Sequence, residues 1–85
     1  MKNDLKKVRR VRKENAARLM AMANVVGVGV GYRRQAGVQT DELALVVMVS
    51  RKVPHTLLLP EDLLPTEIDG VPVDVQEVGA IQAQV

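Results

Sequence analysis

The sequence lacks cysteine, phenylalanine and tryptophan, and its 85 residues include one tyrosine, one histidine and one serine. The absence of cysteine excludes a disulfide scaffold, a thiolate zinc site, an iron–sulfur cluster and a thiol nucleophile. A serine triad would have to use Ser50 and His55, and no nucleophile elbow or glycine-rich oxyanion loop accompanies Ser50. One histidine and scattered carboxylates give no recognisable metal-ligand spacing. We therefore expect a non-catalytic protein that carries no cofactor and no metal.

The chain also lacks long apolar runs. No stretch approaches the ~20 residues of a membrane span, and the basic start leads into a charged helix rather than an apolar signal segment. These absences predict a soluble cytoplasmic protein with no membrane partner. A single domain of this size buries only roughly 60–65% of the surface that its unfolded chain exposes, so a partner surface would add stability.

Charge is distributed very unevenly along the chain. Residues 1–34 hold ten Lys and Arg against two acidic residues, a net charge of +8, whereas residues 53–85 hold six acidic residues and no Lys or Arg, a net charge of −6. A basic block of this kind binds nucleic acid, an anionic membrane or an acidic protein surface. Because the acidic block lies in the same chain, we expect either head-to-tail contact between subunits or folding of one end of the chain over the other. The expected contact residues are Arg9, Arg10, Arg12 and Lys13 on the basic side and Glu61, Asp62, Asp74 and Glu77 on the acidic side.

The N-terminal segment has the composition of a helix. Residues 5–23 contain no glycine or proline, and the pattern predicts a helix over residues 4–23. Arg9 and Arg12 interrupt its apolar side, so we expect the C-terminal turns to pack on the core and the first turns to project as a basic arm. This divides the chain into a basic helix or arm at 1–23, a small α/β module at 24–79 and a C-terminal tail at 80–85.

The rest of the sequence predicts strands. Residues 25–32 alternate with period two, residues 33–42 are a hairpin loop or two strand ends with a turn, and residues 43–49 are apolar on both faces, as in a central strand. One helical turn within 57–65 and two short strands around Asp69 and Gly70 follow. The expected fold is α+β and two-layered, with one long N-terminal helix packed on a mostly antiparallel sheet of about four strands.

Three glycines, Gly27, Gly29 and Gly31, lie on one face of the first strand. A dinucleotide-binding loop would require its glycines to open a helix, and Tyr32 occupies the place of its third glycine. Glycines inside a strand usually allow another backbone to approach closely. We expect the N-terminal helix or a neighbouring subunit to pack on them.

The strand segments resemble a known bacterial module. The motifs Asn-Val-Val-Gly-Val-Gly-Val-Gly-Tyr at 24–32 and Glu-Ile-Asp-Gly-Val-Pro at 67–72 are similar to the accessory segment that precedes the catalytic domain in trypsin-like serine peptidases related to the plant narrow-leaf peptidases. The resemblance covers residues 24–79. It implies a small N-terminal α/β accessory domain without the catalytic triad, which lies in the domain that follows. A chain ending at Val85 would then be a stand-alone homologue, a cleaved fragment or a recruited assembly subunit.

These observations lead to three functional hypotheses. The first is a self-associating, non-catalytic assembly module, which forms a homo-oligomer through its basic helix and acidic half. The second, from the resemblance, is a pro-domain, inhibitor or adaptor of a trypsin-like peptidase domain. The third is non-specific nucleic-acid binding through the basic arm, without base stacking because Tyr32 is the one aromatic residue.

Overall fold

A computed structural model describes residues 3–78 and gives a two-layer α+β fold. Helix α1 spans Leu5–Met20, and strands β1 to β4 span Val25–Gln35, Val38–Val49, Glu67–Ile68 and Val71–Glu77. Two 3-10 turns, His55–Leu57 and Pro60–Asp62, lie between β2 and β3. The expected fold class and order of elements are confirmed. The predicted tail at 80–85 lies outside the described residues.

The sheet is mixed, in the order β1-β2-β4-β3. The pairs β1–β2 and β3–β4 are antiparallel, whereas β2 and β4 pair in parallel. The reason is the long connection after β2, which returns the chain to the starting end of that strand before β4 begins, as parallel pairing requires. β2 is the central strand that its apolar sequence predicts.

Residues 33–42 are two strand ends joined by a tight turn. β1 ends at Gln35 and β2 begins at Val38, where the two residues are paired. The two residues between the strands, Ala36 and Gly37, have φ values of 50° and 78°. Two consecutive positive φ angles are typical of the type I′ turn, whose twist matches that of a two-residue hairpin. The hairpin therefore extends well past the apolar part of both strands.

The core lies between α1 and one face of the sheet. Val8, Val11 and Leu19 of α1 are fully buried. They form one cluster with side chains from all three long strands: Val25, Val28, Leu45, Val47, Val49 and Val71. The expected basic arm is therefore wrong, because the first turns of the helix pack as tightly as its last. Asp4 caps this end of the helix, where its Oδ1 accepts a hydrogen bond from the Lys7 amide at 2.8 Å.

Candidate interaction surfaces

The four basic residues expected to form a contact do not share one surface. All four are exposed, but Arg12 is directed toward the sheet and donates from Nε to the Val28 carbonyl oxygen at 3.0 Å. The interruption of the apolar stripe by Arg12 was the sequence signal for this contact, but the sequence does not identify the acceptor.

Three cations form a straight line on the outer side of α1. Lys6, Arg10 and Lys13 follow the spacing i, i+4, i+7, which aligns side chains on a helix, and all three are exposed. We call them the basic ridge. Arg10 Nε lies 3.8 Å from Glu14 Oε1, and both side chains are more than half exposed. An exposed pair of this kind contributes little, and among the described residues neither Lys6 nor Lys13 forms an ion pair, so the ridge keeps most of its charge.

The acidic residues expected to contact a neighbour have bonds inside the chain, with one exception. Asp62 accepts from the Ala23 amide at 2.9 Å, Asp74 from the Arg34 amide at 3.0 Å and Glu77 from the Lys52 amide at 2.8 Å. Each carboxylate therefore holds the backbone of an element distant in sequence. Glu61, the fourth, is exposed beside Asp62 in the second 3-10 turn. Glu61 and Asp62 together are called the acidic turn.

The ridge and the acidic turn lie at different ends of the helix. The bond between Asp62 and the Ala23 amide holds the acidic turn just beyond the C-terminal end of α1. The ridge begins at Lys6, in the first turn of the helix, and a helix of this length is ~24 Å long. Opposite charges are thus separated along one molecule, which is the arrangement that a head-to-tail contact between copies requires.

The glycines of β1 lie on the face of the sheet opposite α1. Their partners across the ladder are Met48 for Gly27, Val46 for Gly29 and Ala44 for Gly31. The expectation that α1 packs on the glycines is therefore wrong, because α1 packs on the valines that alternate with them.

Space around the three glycines differs. A methyl group on Gly27 would lie 2.7 Å from Met48 Cε, and one on Gly31 would lie 3.1 Å from Val46 Cγ2. At Gly29 no atom lies within 4 Å of that position. Gly29 thus provides room for a side chain from outside, and contact of this face with a neighbouring subunit stays a prediction.

An open cavity of about 300 Å³ lies beyond the end of α1. Val49, Val73 and Val75 line it from the sheet, and Leu58 and Leu64 line it from the connection after β2. The connection also exposes apolar side chains, since Leu57 is 74% and Leu59 61% exposed. The cavity has an apolar floor, and the described residues contain no buried polar atom without a hydrogen-bond partner that could orient a ligand in it.

The described residues contain no assembled catalytic or metal site. Ser50 is half-buried, and its amide donates to the Asn24 carbonyl at 2.9 Å. His55 begins the first 3-10 turn. Over residues 3–78, no three His, Cys, Asp or Glu side chains come close enough together to hold a metal ion. In the same residues no helix is long and apolar enough to cross a membrane.

Comparison with known proteins gives one family match. Residues 2–81 match the family model described as the NARROW LEAF 1 N-terminal domain. The match includes α1 as well as the strands, so the basic helix is part of the family domain rather than an addition to it. Curated protein sequences yield no match to the chain.

Proposed function

The chain belongs to the NARROW LEAF 1 N-terminal domain family, and from the arrangement of its charges we propose that it is a non-catalytic module that associates with copies of itself. The basic ridge of one copy would contact the acidic turn of the next. Contacts of this kind are heterologous, so they build a ring if the rotation closes and a filament if it does not.

The observation that carries this proposal is the uncompensated charge on the outer face of α1. Lys6 and Lys13 have no acidic partner among residues 3–78, and Arg10 has one exposed partner at 3.8 Å. Such a surface attracts an acidic surface over about one Debye length, ~8 Å at physiological salt. The acidic turn supplies that surface on a second copy, and Asp62 can accept there through Oδ2 while its Oδ1 holds the Ala23 amide.

The geometry changes which basic residues should be tested. Arg12 is left unchanged because its bond to the Val28 carbonyl belongs to the packing of α1 on β1. The ridge-reversed variant is therefore Lys6→Glu, Arg10→Glu and Lys13→Glu. Its control reverses three cations outside the ridge, Arg18→Glu, Arg34→Glu and Arg51→Glu, which are also exposed and give the same net charge.

We expect the wild-type chain to sediment as an oligomer at low salt and to dissociate as salt is raised. The ridge-reversed variant should sediment as a monomer at both salt concentrations, and the control should behave as the wild type. Wild-type circular dichroism and melting in both variants would establish that they fold. A wild-type monomer at low salt, or an oligomer that survives reversal of the ridge, would contradict the proposal.

The same experiment tests nucleic-acid binding. The chain has one tyrosine and no tryptophan, so it absorbs weakly at 260 nm, and bound nucleic acid would dominate the signal at that wavelength. A small species that carries 260 nm absorbance and loses it at high salt would favour binding of nucleic acid over self-association.

A second candidate function follows from the family description, which names an N-terminal domain. We propose that the module can act as an accessory domain, as a pro-domain, inhibitor or adaptor, of a trypsin-like peptidase. An immunoblot of the source cells with an antibody against residues 24–78 tests this. A longer polypeptide that contains the module, or a peptidase that co-purifies with it, would support the accessory role, and an isolated chain without a peptidase would oppose it.

A further inference from the structure

One edge of the sheet has unpaired backbone groups. β1 lies at the end of the strand order, and within residues 3–78 it pairs with β2 alone. β2 directs the backbone groups of Val47 and Val49 toward β4, as the bond from the Val78 amide to the Val49 carbonyl shows. Val28 and Val30 are paired with Val47 and Leu45, so their own N–H and C=O groups point away from β2, at the open edge.

The bond from Arg12 agrees with this assignment. The Nε atom of Arg12 donates to the Val28 carbonyl oxygen at 3.0 Å. This bond requires the carbonyl to face away from β2, as the pairing predicts. Within residues 3–78, no side chain is hydrogen-bonded to the outward backbone groups of Val30 and Tyr32. Unpaired groups along a long edge strand are a template for the addition of another strand.

The two sides of this edge have different chemistry. On the α1 side lie Arg12 and the half-exposed side chain of Tyr32. On the opposite side lie the three glycines, and Gly29 has no atom within 4 Å of the position that a methyl group would occupy. A strand added here would meet a cation on one face and open space for a bulky side chain on the other.

Charge argues against a second copy of this edge as the occupant. In a symmetric antiparallel pair, Arg12 of each copy would lie at the same interface, together with the exposed Arg34 at the end of each β1. Two carboxylates that contact β1 are already bound within the chain: Glu42 is paired with Arg33 at 3.0 Å, and Asp74 accepts from the Arg34 amide at 3.0 Å. The occupant that complements the edge is therefore an acidic strand.

We propose that the β1 edge binds an extended segment of a partner protein in which acidic and apolar residues alternate. A carboxylate of the added strand, on the α1 side, forms an ion pair with the guanidinium of Arg12. A backbone N–H of the added strand then donates to the Val28 carbonyl oxygen in place of Arg12. The alternate, apolar residues lie along the glycine face. This site uses backbone groups of β1 and is separate from the basic ridge.

The probe is a ten-residue peptide that alternates valine and glutamate, with both ends blocked. Binding is measured by the emission of Tyr32, the one aromatic residue of the protein, and by hydrogen exchange at the Val28, Val30 and Tyr32 amides. We expect saturable binding, slower exchange at these amides and a tenfold or greater loss of affinity at high salt. A peptide that alternates valine and lysine should not bind.

Substitution at Val30 separates backbone pairing from other contacts. Val30→Pro removes an outward N–H but no bond to β2, and proline is tolerated at such an edge position. It should abolish binding, whereas Val30→Ala, which also loses the side chain but keeps the N–H, should bind as the wild type. Arg12→Gln keeps a donor for the Val28 carbonyl and should remove the preference for the acidic peptide. Circular dichroism verifies folding of each variant.

Failure of this inference is distinguishable from failure of the proposed self-association. The ridge-reversed variant should still slow exchange at the Val30 amide when the acidic peptide is added, and Val30→Pro should still form the wild-type oligomer. Equal binding of both peptides, or unchanged exchange at the edge amides, would overturn the inference. So would a wild-type dimer in which these amides are protected without peptide, because the occupant would then be a second copy.

Discussion

Gly29 and Gly31 occupy equivalent positions on β1 but differ in what an added methyl group would meet. At Gly29 there is open space, whereas at Gly31 the Val46 Cγ2 atom lies 3.1 Å away. Val46 is β-branched, so it has little rotamer freedom with which to move aside. Both glycines have ordinary extended backbone, and alanine is more stable than glycine in a strand by roughly 0.5–1 kcal/mol.

We therefore expect Gly29→Ala to raise the free energy of unfolding by about 0.5–1 kcal/mol. Gly31→Ala should give a smaller gain or a loss, because the contact with Val46 opposes the same backbone benefit. Urea denaturation followed by circular dichroism measures both. Equal gains at the two positions would show that Val46 yields at no cost, and a loss at Gly29 would contradict the open space described there.

Arg12 shows what sequence reasoning recovers at the scale of a residue. The pattern placed it on the apolar side of α1 and so marked it as unusual, but its acceptor is a carbonyl that faces outward only because of the pairing between β1 and β2. The internal bonds of Asp62, Asp74 and Glu77 depend in the same way on three-dimensional proximity. The sequence shows that these side chains are charged, but it does not predict which backbone amides donate hydrogen bonds to them.

At the scale of the element, the residues of α1 that are buried differ in part from those that the sequence pattern places on its apolar side. The sequence pattern assigns six residues to one side, Leu5, Val8, Ala16, Leu19, Met20 and Ala23. Val8 and Leu19 are fully buried, whereas Leu5 is 41% and Met20 47% exposed, and the buried stripe also includes Val11. Both halves of the helix therefore contribute to the core.

Leu19→Ala should lower the free energy of unfolding by about 2–5 kcal/mol, because it leaves a cavity in the core. Leu5→Ala should cost less than about 1 kcal/mol, since the side chain keeps much of its exposure. Urea denaturation compares the two, and Leu19→Met, which conserves volume, provides a milder variant if Leu19→Ala does not fold. Comparable losses at Leu5 and Leu19 would contradict a helix orientation that buries Leu19 and leaves Leu5 partly exposed.

The positions of the strands could be predicted from the sequence, but the way in which they pair in the sheet could not. Alternation over residues 25–32 and the apolar run over 43–49 identify β1 and β2, and the Asp69-Gly70 turn, with φ values of 51° and 81°, identifies the β3–β4 hairpin. The parallel pairing of β2 with β4 depends on how the connection with its two 3-10 turns crosses the sheet. No local pattern specifies that path, since it is set by packing between distant segments.

At the scale of the whole molecule, the carboxylates of the C-terminal half have two roles. Asp62, Asp74 and Glu77 join the ends of other elements by accepting from backbone amides, and they thereby close the fold. Glu61 has no such bond, so it is the acidic residue of the expected contact set that can be reversed without opening the fold. The acidic surface proposed for self-association is therefore smaller than the sequence charge of −6 indicates.

A head-to-tail contact makes a prediction that a symmetric contact does not. The turn-reversed variant, Glu61→Lys with Asp62→Asn, changes the charge of the acidic turn, and its new amide keeps an oxygen for the Ala23 N–H. It retains a wild-type ridge, and the ridge-reversed variant retains a wild-type acidic turn. In a heterologous contact each variant has lost a different half of the interface.

Alone, each variant should sediment as a monomer at low salt. Mixed in equal amounts, they should form larger species in which the two variants alternate, because the intact ridge of one attracts the intact turn of the other and the acidic reversed ridge attracts the basic reversed turn. Sedimentation velocity of the mixture, with each variant alone as the control, measures this. A two-fold symmetric contact would use both ridge–turn pairs inside one dimer, so the mixture would stop at a 1:1 heterodimer. A mixture that contains nothing larger than either variant alone would contradict a contact between the ridge and the acidic turn.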